Sequence, residues 1–517
     1  MRQPVHRNRM VLRAAGLALA LLLLLPGVAA SQNVLEIPEL LERVLRENRD
    51  LERALLEEQQ AESGYRSARA SIGPQVDLDI NALTVDNRRV QQGFDEMFQP
   101  EQRTVRTAST GLNLQYVQAL PTGGNLVGEI GVEASQALTL AEDDAGDDSE
   151  SYEVTPDVNL RFSQPVFVRG SFIDTRITQA LDTQAQTGYR IAELTRADLE
   201  NRFALAATEL YFSIANLRRA IVVQEASLEL TRRQIERTED DVDVGAASRQ
   251  QLLQLQLAEN GLREGLLESR EQLRNLERSL FRISGGSVRA EDYTFRVPGE
   301  VLAEISTDAP DGDDVSGNIE LARSRVSLES AIADLRVNRS DRAPEFSAFA
   351  QISRRYPDSR EDPSQASAAF TDLFDADGGF DWTAGISLAL PIVDGGRRRN
   401  STESDERAVE LAELELSEIE DNVRDDVASA LERLSILRER VSILEAESAF
   451  EADRLADIES LVEIDAATGT ELDEAEIDLA QARNSVIEAQ GEIILVLMEI
   501  DGLVGDAAAA RFLAGAR

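Results

Sequence analysis

Apolar and polar residues alternate strictly in several short segments of the chain. In VDLDINAL, residues 76–83, polar side chains separate Val76, Leu78 and Ile80. The same alternation continues in GLNLQYVQ (111–118), LVGEIGVEAS (126–135), PDVNLRFSQP (156–165), FSAFAQIS (346–353) and WTAGISLALP (382–391). Because successive side chains of a strand point to opposite faces, each segment predicts a β-strand with one apolar face. The pattern suits a barrel with lipid outside and water inside, and it also suits an ordinary half-buried sheet.

Long helical patterns separate the strand segments. From Ser171 to about Asp241 only Gly188 interrupts a pattern that predicts a helix of roughly 70 residues and roughly 100 Å. The stretch from Gly396 to about Leu461 has the same character. The helix that returns after Asp241 has leucines at coiled-coil spacing, namely Leu252, Leu255, Leu262, Leu266, Leu273, Leu276 and Leu280, with Leu253, Leu257 and Leu267 beside them. These additional leucines widen the apolar stripe, so we expect each helix to contact more than one neighbour.

Matching motifs recur in the same order in the two halves of the chain. The matched parts are the segments 47–83 and 317–353, the corners Pro165 to Gly170 and Pro391 to Gly396, and the segments VDVGAAS (242–248) and VEIDAAT (462–468). In each half, the predicted order is a helix, a set of strands, a corner, a long helix, a tip and a return helix. We predict an internal duplication, with four long strands in the first copy and two in the second.

The chain begins with the features of a secretory signal peptide. Arginines precede an apolar run that ends in the small residues Val28, Ala29 and Ala30, which predicts cleavage after Ala30. No later apolar run reaches the roughly 20 residues of a membrane-spanning helix. The predicted divisions are a signal peptide (1–30), a first repeat (31–290, strands about 75–167), a linker (291–316), a second repeat (317–504, strands about 345–391) and a tail (505–517).

Composition excludes several classes of function. The formal net charge of −42 opposes binding to the phosphate backbone of a nucleic acid. The chain has no cysteine, and its single histidine, His6, lies within the predicted signal peptide. A mature chain without histidine or cysteine cannot build a histidine-based catalytic triad or the usual zinc sites. We therefore expect no catalytic residues, no metal site and no cofactor.

The order of these parts resembles the TolC-like outer-membrane efflux proteins. The resemblance rests on the signal peptide, the duplicated helix–strand–helix unit, the Pro-x-x-x-x-Gly corners and the Val-Gly-Ala tip before a leucine-rich return helix. It implies a mostly α fold in which the strands of a homotrimer close one outer-membrane β-barrel of a Gram-negative bacterium. An α-helical barrel would extend this β-barrel into the periplasm. The implied function is a passive exit duct that works with a periplasmic adaptor (membrane fusion) protein and an inner-membrane transporter of the RND, ABC or MFS type.

The resemblance also assigns roles to particular residues. The two hairpin tips would contact the adaptor through Val244, Gly245 and Ala246 in the first copy and Ile464, Asp465 and Ala466 in the second. The second tip has Asp465 where the family usually has glycine. By comparison with TolC, Glu471 and Glu474 would form carboxylate rings that narrow the periplasmic entrance, or would be ordinary solvated helix residues. The strand-to-helix corners would be Pro165, Gly170, Pro391 and Gly396.

Two questions stay open from the sequence alone. The first is the number of barrel strands: six strands per chain would give a trimer 18 strands, rather than the 12 of TolC. The main alternative function is an exported trimeric coiled-coil adhesin or stalk, which gives no reason for two alternating strand blocks. A secreted enzyme that uses acid pairs is disfavoured, because aromatic residues are only 5% of the chain and a sugar-binding cleft needs aromatic platforms.

Overall fold

The computed structural model describes residues 33–94, 100–141, 149–168, 171–172, 176–310, 314–340, 345–355, 358–360, 379–389, 392–464 and 466–513. The predicted signal peptide lies outside these residues. The chain divides into two compact units. The sheet unit comprises Leu56–Leu194 and Glu320–Ile419, and the helical unit comprises Met1–Leu55, Thr195–Ile319 and Glu420–Arg517. Within the described ranges no helix combines the length and the apolar character needed to cross a bilayer.

The elements follow one another in an order that repeats. They are β1 (Asn33–Leu35), α1 (Ile37–Glu47), α2 (Arg49–Ala70), β2 (Pro74–Phe94), β3 (Pro100–Ala119), β4 (Asn125–Ala141), β5 (Ser149–Val168), β6 (Ser171–Phe172), α3 (Arg176–Asp243), α4 (Arg249–Ile283), β7 (Tyr293–Phe295), α5 (Pro298–Leu302), α6 (Ile319–Ser340), β8 (Glu345–Arg355), β9 (Asp358–Arg360), β10 (Asp381–Ala389), α7 (Arg397–Glu463), α8 (Gly469–Val504) and α9 (Ala510–Leu513). Helices α2 and α6 both have 22 residues, α3 and α7 have 68 and 67, and α4 and α8 have 35 and 36. The matched lengths are what an internal duplication predicts.

The sheet unit contains one antiparallel sheet. Its six long strands lie in the order β10-β8-β5-β4-β3-β2, and the short strands β6 and β9 both pair with β5. Strands β2 to β5 come from the first copy of the repeat, and β8 and β10 come from the second. The sheet therefore joins the two copies through the pairing of β5 with β8.

The alternation in the sequence produces two different faces of this sheet. Across the β2–β3 pair, Val76 lies opposite Tyr116, and Leu78 lies opposite Leu114. These four side chains are exposed in the single chain. The intervening positions are polar, as where Asp77 lies opposite Gln115. Among the described residues, nothing covers this apolar face of the sheet.

Helix α3 begins later than the sequence pattern indicates. The pattern predicts a helix from Ser171, whereas the structure has α3 from Arg176. Ser171 and Phe172 instead pair with Val168 and Phe167 as a short continuation of the sheet. Local strand pairing therefore overrides helical periodicity at this corner.

Tyr211 lies at the centre of the core of the helical unit. Its side chain is fully buried, its hydroxyl donates to the Leu35 carbonyl at 2.7 Å, and the same oxygen accepts the Arg296 N–H at 2.7 Å. Burial raises the pKa of Tyr211 to about 12, so the hydroxyl keeps its proton and remains a donor. The segment predicted as a linker supplies β7, which pairs with β1, and α5, whose Val301 enters the same core. The predicted domain boundaries themselves stay predictions.

Two buried asparagines, one in each copy of the repeat, make the same kind of contact. Asn48 precedes α2, and its side-chain amide donates to the Ile283 carbonyl at the end of α4 at 2.8 Å. Its amide oxygen accepts the Asp50 N–H at 2.8 Å, which caps α2. Asn318 precedes α6, and its amide donates to the Leu503 carbonyl at the end of α8, also at 2.8 Å. Each asparagine thus ties the start of one helix to the last turn of another.

We predict that Asn48→Ala and Asn318→Ala destabilise the protein by similar amounts. Each change leaves a part-buried carbonyl at a helix end without its donor, so the expected loss is about 1–3 kcal/mol. Asn48→Ala also removes the cap of α2. Thermal unfolding of the purified protein measures it. Asn48→Ser is the matched control, because serine keeps the cap but cannot reach the carbonyl, and it should fall between wild type and alanine. A serine variant as unstable as alanine would show that the long-range contact, rather than the cap, is the important part.

Candidate functional site

The first hairpin tip joins α3 to α4. The Gly245 N–H donates to the Val242 carbonyl at 3.1 Å, and the Ala246 N–H donates to the Asp241 carbonyl at 2.7 Å. Gly245 has φ of +79°, a left-handed conformation that ends helices and that glycine adopts without strain. The side chain of Val244 is 78% exposed. The tip therefore holds a branched apolar side chain in solvent.

The second tip joins α7 to α8 and ends its helix in the same manner. The Ala466 N–H donates to the Leu461 carbonyl at 2.8 Å, which corresponds to the bond of Ala246 in the first tip. Ile464 occupies the position of Val244, and its side chain is 70% exposed. Asp465 lies outside the described residues. The two tips thus share their helix ending and their exposed apolar residue.

Both return helices begin with a capping box. In the first, the Ser248 N–H donates to the Gln251 side-chain oxygen at 2.8 Å, and the Gln251 N–H donates to the Ser248 hydroxyl at 3.3 Å. In the second, the Thr468 N–H donates to the Glu471 carboxylate at 2.7 Å, and the Glu471 N–H donates to the Thr468 hydroxyl at 3.3 Å. These bonds satisfy amide groups that a helix start otherwise leaves unpaired.

The capping box fixes the surroundings of Glu471. The backbone N–H of Thr468, followed by its hydroxyl, holds the pKa of the Glu471 carboxyl below its usual range. The carboxylate is therefore ionised and turned toward its own helix start. Gln251 performs the same task without a charge, so the difference between the two copies is one of charge rather than of geometry.

Helices α3 and α8 meet near the tips through three polar contacts. Arg233 forms an ion pair with Asp473 at 2.7 Å, and the Gln234 side chain donates to the Glu474 carboxylate at 2.9 Å. The Arg237 guanidinium donates to the Thr470 hydroxyl. We call these six residues the tip contact: Arg233, Gln234, Arg237, Thr470, Asp473 and Glu474. The contact joins the first helical hairpin to the second.

Comparison with known proteins shows the fold of the chain. Its structure resembles the outer membrane protein VceC of Vibrio cholerae, with 15% identity, a TM-score of 0.60, and coverage of 91% of this chain and 96% of VceC. It resembles the CmeC outer membrane channel of Campylobacter jejuni, with 12% identity, a TM-score of 0.59, and coverage of 93% and 89%. For CusC the identity is 16% and the TM-score 0.59, over 91% and 92%. No curated protein matches the chain.

The second half of the sequence matches a known protein family. Residues 315–506, which cover the second repeat from before α6 to the end of α8, match the family model described as outer membrane efflux protein. The second repeat therefore matches the outer membrane efflux protein family. The resemblance to that family and the TolC-like fold predicted from the sequence are confirmed.

The matched family is a family of outer-membrane efflux channels and not of enzymes. The predicted function as an outer-membrane channel for efflux is confirmed at the level of the family. The alternative, an exported coiled-coil stalk, is not favoured. The roles predicted for individual residues remain predictions, since no comparison tests them.

The predicted corner residues lie partly within the described chain. Pro165 lies in β5 where the pairing with β8 shifts register, between Pro165 and Phe167. Gly396 lies just before α7 with φ of +84°, so glycine suits that turn. Gly170 and Pro391 lie outside the described residues. Both described corner residues therefore occupy irregular backbone next to the sheet.

Sequence reasoning missed most of the tip contact. It selected Glu474, but not the α3 residues that face it. The available signal was the spacing of Arg233 and Arg237, which puts two cations on one face of an otherwise acidic hairpin end. Periodicity within one helix indicates a face but cannot indicate which distant helix meets it.

We predict that Glu471→Ala loosens the start of α8, whereas Glu471→Gln does not. Alanine cannot accept the Thr468 N–H, so hydrogen exchange of the amides at residues 468–472 should accelerate in the alanine variant alone. Since folding lowers the pKa of Glu471, the part of this protection that depends on its charge is complete above the ordinary pKa and is lost as pH falls through the lowered value. The glutamine variant should lack this pH dependence. Equal loosening by glutamine and alanine would show that Glu471 acts through its charge.

Proposed function

We propose that three copies of the chain form a passive exit duct of a tripartite efflux or type I secretion system. The sheet units close a barrel in the outer membrane of a Gram-negative bacterium, and the helical units form a tunnel in the periplasm. A signal peptide cleaved after about Ala30 directs the export. The observation that carries this proposal is that one chain leaves its row of helices open at both ends.

The long helices of the helical unit form a row in the order α4–α3–α8–α7. Ion pairs join neighbours in this row: Arg232 with Glu259 at 3.0 Å between α3 and α4, and Arg454 with Asp478 at 3.0 Å between α7 and α8. The tip contact joins α3 to α8. Helices α4 and α7 are therefore the outer members of the row, and among the described residues each has one flank without a neighbouring long helix.

Both outer helices expose an apolar stripe on that flank. On α7, Ile436, Ile443 and Phe450 recur every seven residues, and Phe450 is 66% exposed. On α4, Leu257 is 71% exposed and Leu267 is 65% exposed. A seven-residue apolar repeat packs against a second helix in a coiled coil. We therefore propose that α7 of one copy packs on α4 of the next, which closes a ring of copies.

The tips provide the surface for a periplasmic adaptor (membrane fusion) protein. Val244 and Ile464 are exposed apolar residues at the ends of rigid hairpins, and each chain supplies one of each. A trimer would present six such tips, which suits an adaptor with a repeated hydrophobic contact. The inner-membrane transporter, of the RND, ABC or MFS type, would meet the duct through this adaptor.

The tip contact supplies a gate for the duct. It holds the second hairpin of a chain against the first, so breaking it frees α8 to move. Glu474 is part of the contact, while Glu471 caps its own helix and adds negative charge beside it. Three copies would bring these carboxylates together at the entrance, where they would attract cations and repel one another.

We predict that cysteines at Leu267 and Phe450 become linked between copies. The chain has no cysteine of its own, so every cross-link reports the introduced pair. With a short bis-maleimide on intact cells, the double variant should run as covalent dimers and trimers in denaturing gels. The matched control combines Leu267→Cys with Ala449→Cys. Ala449 is exposed but lies about 100° around the helix from Phe450. Equal cross-linking of the control, or none with Phe450→Cys, would refute this interface.

We predict that the purified protein conducts ions in a planar bilayer and that Arg233 restrains the conductance. Arg233→Asp places like charges in the tip contact, so single-channel conductance should rise severalfold because the entrance opens. The double variant Arg233→Asp, Asp473→Arg restores an opposite-charge pair and should return most of the way to wild type.

Two outcomes would contradict this. A protein that forms trimers but never conducts would be a stalk rather than a duct. An increase in conductance that the reversed pair does not cancel would show that Arg233 acts through another contact.

A further inference from the structure

The hairpin of β3 and β4 is an integral part of the sheet. Strand β3 pairs with β2 from the Pro74–Gln118 pair to the Phe94–Pro100 pair, and β4 pairs with β5 from Asn125–Ser163 to Thr139–Ser149. Strands β3 and β4 also pair with each other along their length. The hairpin therefore widens the sheet by two strands between β2 and β5, and it does not fold over one end.

The two outer strands of the sheet are suited to pair with each other between copies. All neighbours in the path are antiparallel, so β10 and β2, which end a path of six strands, run in opposite directions. Their apolar sides lie on one face: Val76 and Leu78 on β2, and Trp382 and Ile386 on β10. A register that keeps this face continuous satisfies both free edges at once.

The two shortest of the six long strands fit the thickness of a membrane. Strand β10 has 9 residues and β8 has 11, and a tilted membrane strand needs about 9–11 residues. The longer strands β2 to β5 continue beyond this band with polar sequence such as Asp86 to Arg89. The membrane band thus lies at the level where all six strands are present.

At the level of the membrane band, the other face of the sheet carries polar side chains suited to contact with water. Asp77, Gln115, Glu129 and Asn159 lie side by side in one row across four strands. Gln115 and Asn159 both donate to the Glu129 carboxylate, at 3.0 and 3.2 Å. Ser353 and Asp381 continue the row on β8 and β10. A wall of charged and amide groups lines water and cannot pack against itself as a dry core.

We infer that the chain builds an 18-stranded barrel whose outer-membrane lumen admits bulky hydrated solutes. The inference rests on the trimer of the proposed function, since three six-stranded paths supply the 18 strands. With strands about 4.8 Å apart and tilted by about 40°, the backbone cylinder is about 36 Å across, and side chains leave a lumen of about 13 Å radius. The same relation gives about 7 Å for a barrel of four strands per chain. The β3–β4 hairpin thus sets the size of the cargo that can leave.

Graded maleimide reagents test the lumen in intact cells. Ser387→Cys places the only cysteine of the chain on the polar face near the end of β10, and Asn87→Cys places it on β2 beyond the membrane band. Poly(ethylene glycol) maleimides of about 10 Å radius should label both cysteines at rates within about tenfold, because the 18-stranded lumen is wider than the reagent. A variant of Ser387→Cys that lacks residues 100–141 should react with small maleimides and exclude the large ones.

The outcomes separate this inference from the proposed function. If Asn87→Cys labels, trimers form, and Ser387→Cys in the full chain accepts small but not large reagents, the wide lumen is wrong and the duct stands. If no trimer forms in the outer membrane, the proposed function fails first. The full-length pair of variants decides the question alone, even if the shortened chain does not fold.

Discussion

Unsatisfied strand edges are the constraint on which the rest of this molecule depends. In a bilayer each backbone N–H and C=O must find a partner within the protein, so a sheet can cross the membrane only if it closes. The described part of one chain provides six long strands, and the outer two, β2 and β10, each have one edge without a paired strand there. The apolar face of these strands, from Val76 to Trp382, is exposed as well. In the proposed trimer, closure with further copies would remove both problems in one step.

The internal duplication gives each copy of the repeat the same structural devices with different chemistry. Asn48 and Asn318 make the same bond to the end of a return helix. Gln251 and Glu471 both complete a capping box, but only Glu471 adds charge. The copies differ most in the sheet, where the first has four long strands and the second has two. The helices of the two copies pack against one another, which constrains their lengths to match. A hairpin inserted in a sheet only makes the sheet wider.

The sequence predicted the parts whose signal is local and failed where contacts are distant. Period-two alternation identified the strands, and leucine spacing identified α4, because each pattern reports one element facing one environment. The start of α3 was misplaced, since the pairing of Ser171 with Val168 has no periodic signature. The segment treated as a linker holds β7, whose three residues are too few to show alternation. The tip contact was missed for a different reason, because Arg233 and Asp473 come from different repeats.

The strength of the tip contact suits a gate better than a permanent joint. Arg233 and Asp473 are partly exposed, and an exposed ion pair generally contributes only about 0–1 kcal/mol. This ion pair and two side-chain hydrogen bonds join the two hairpins, and both return helices begin with a capping box. A partner that binds the exposed Val244 and Ile464 side chains gains more from burying them, about 1.5–3 kcal/mol for each, than one such contact provides. Binding at the tips can therefore outweigh the contact, which lies one helical turn or more from the surface that the partner covers.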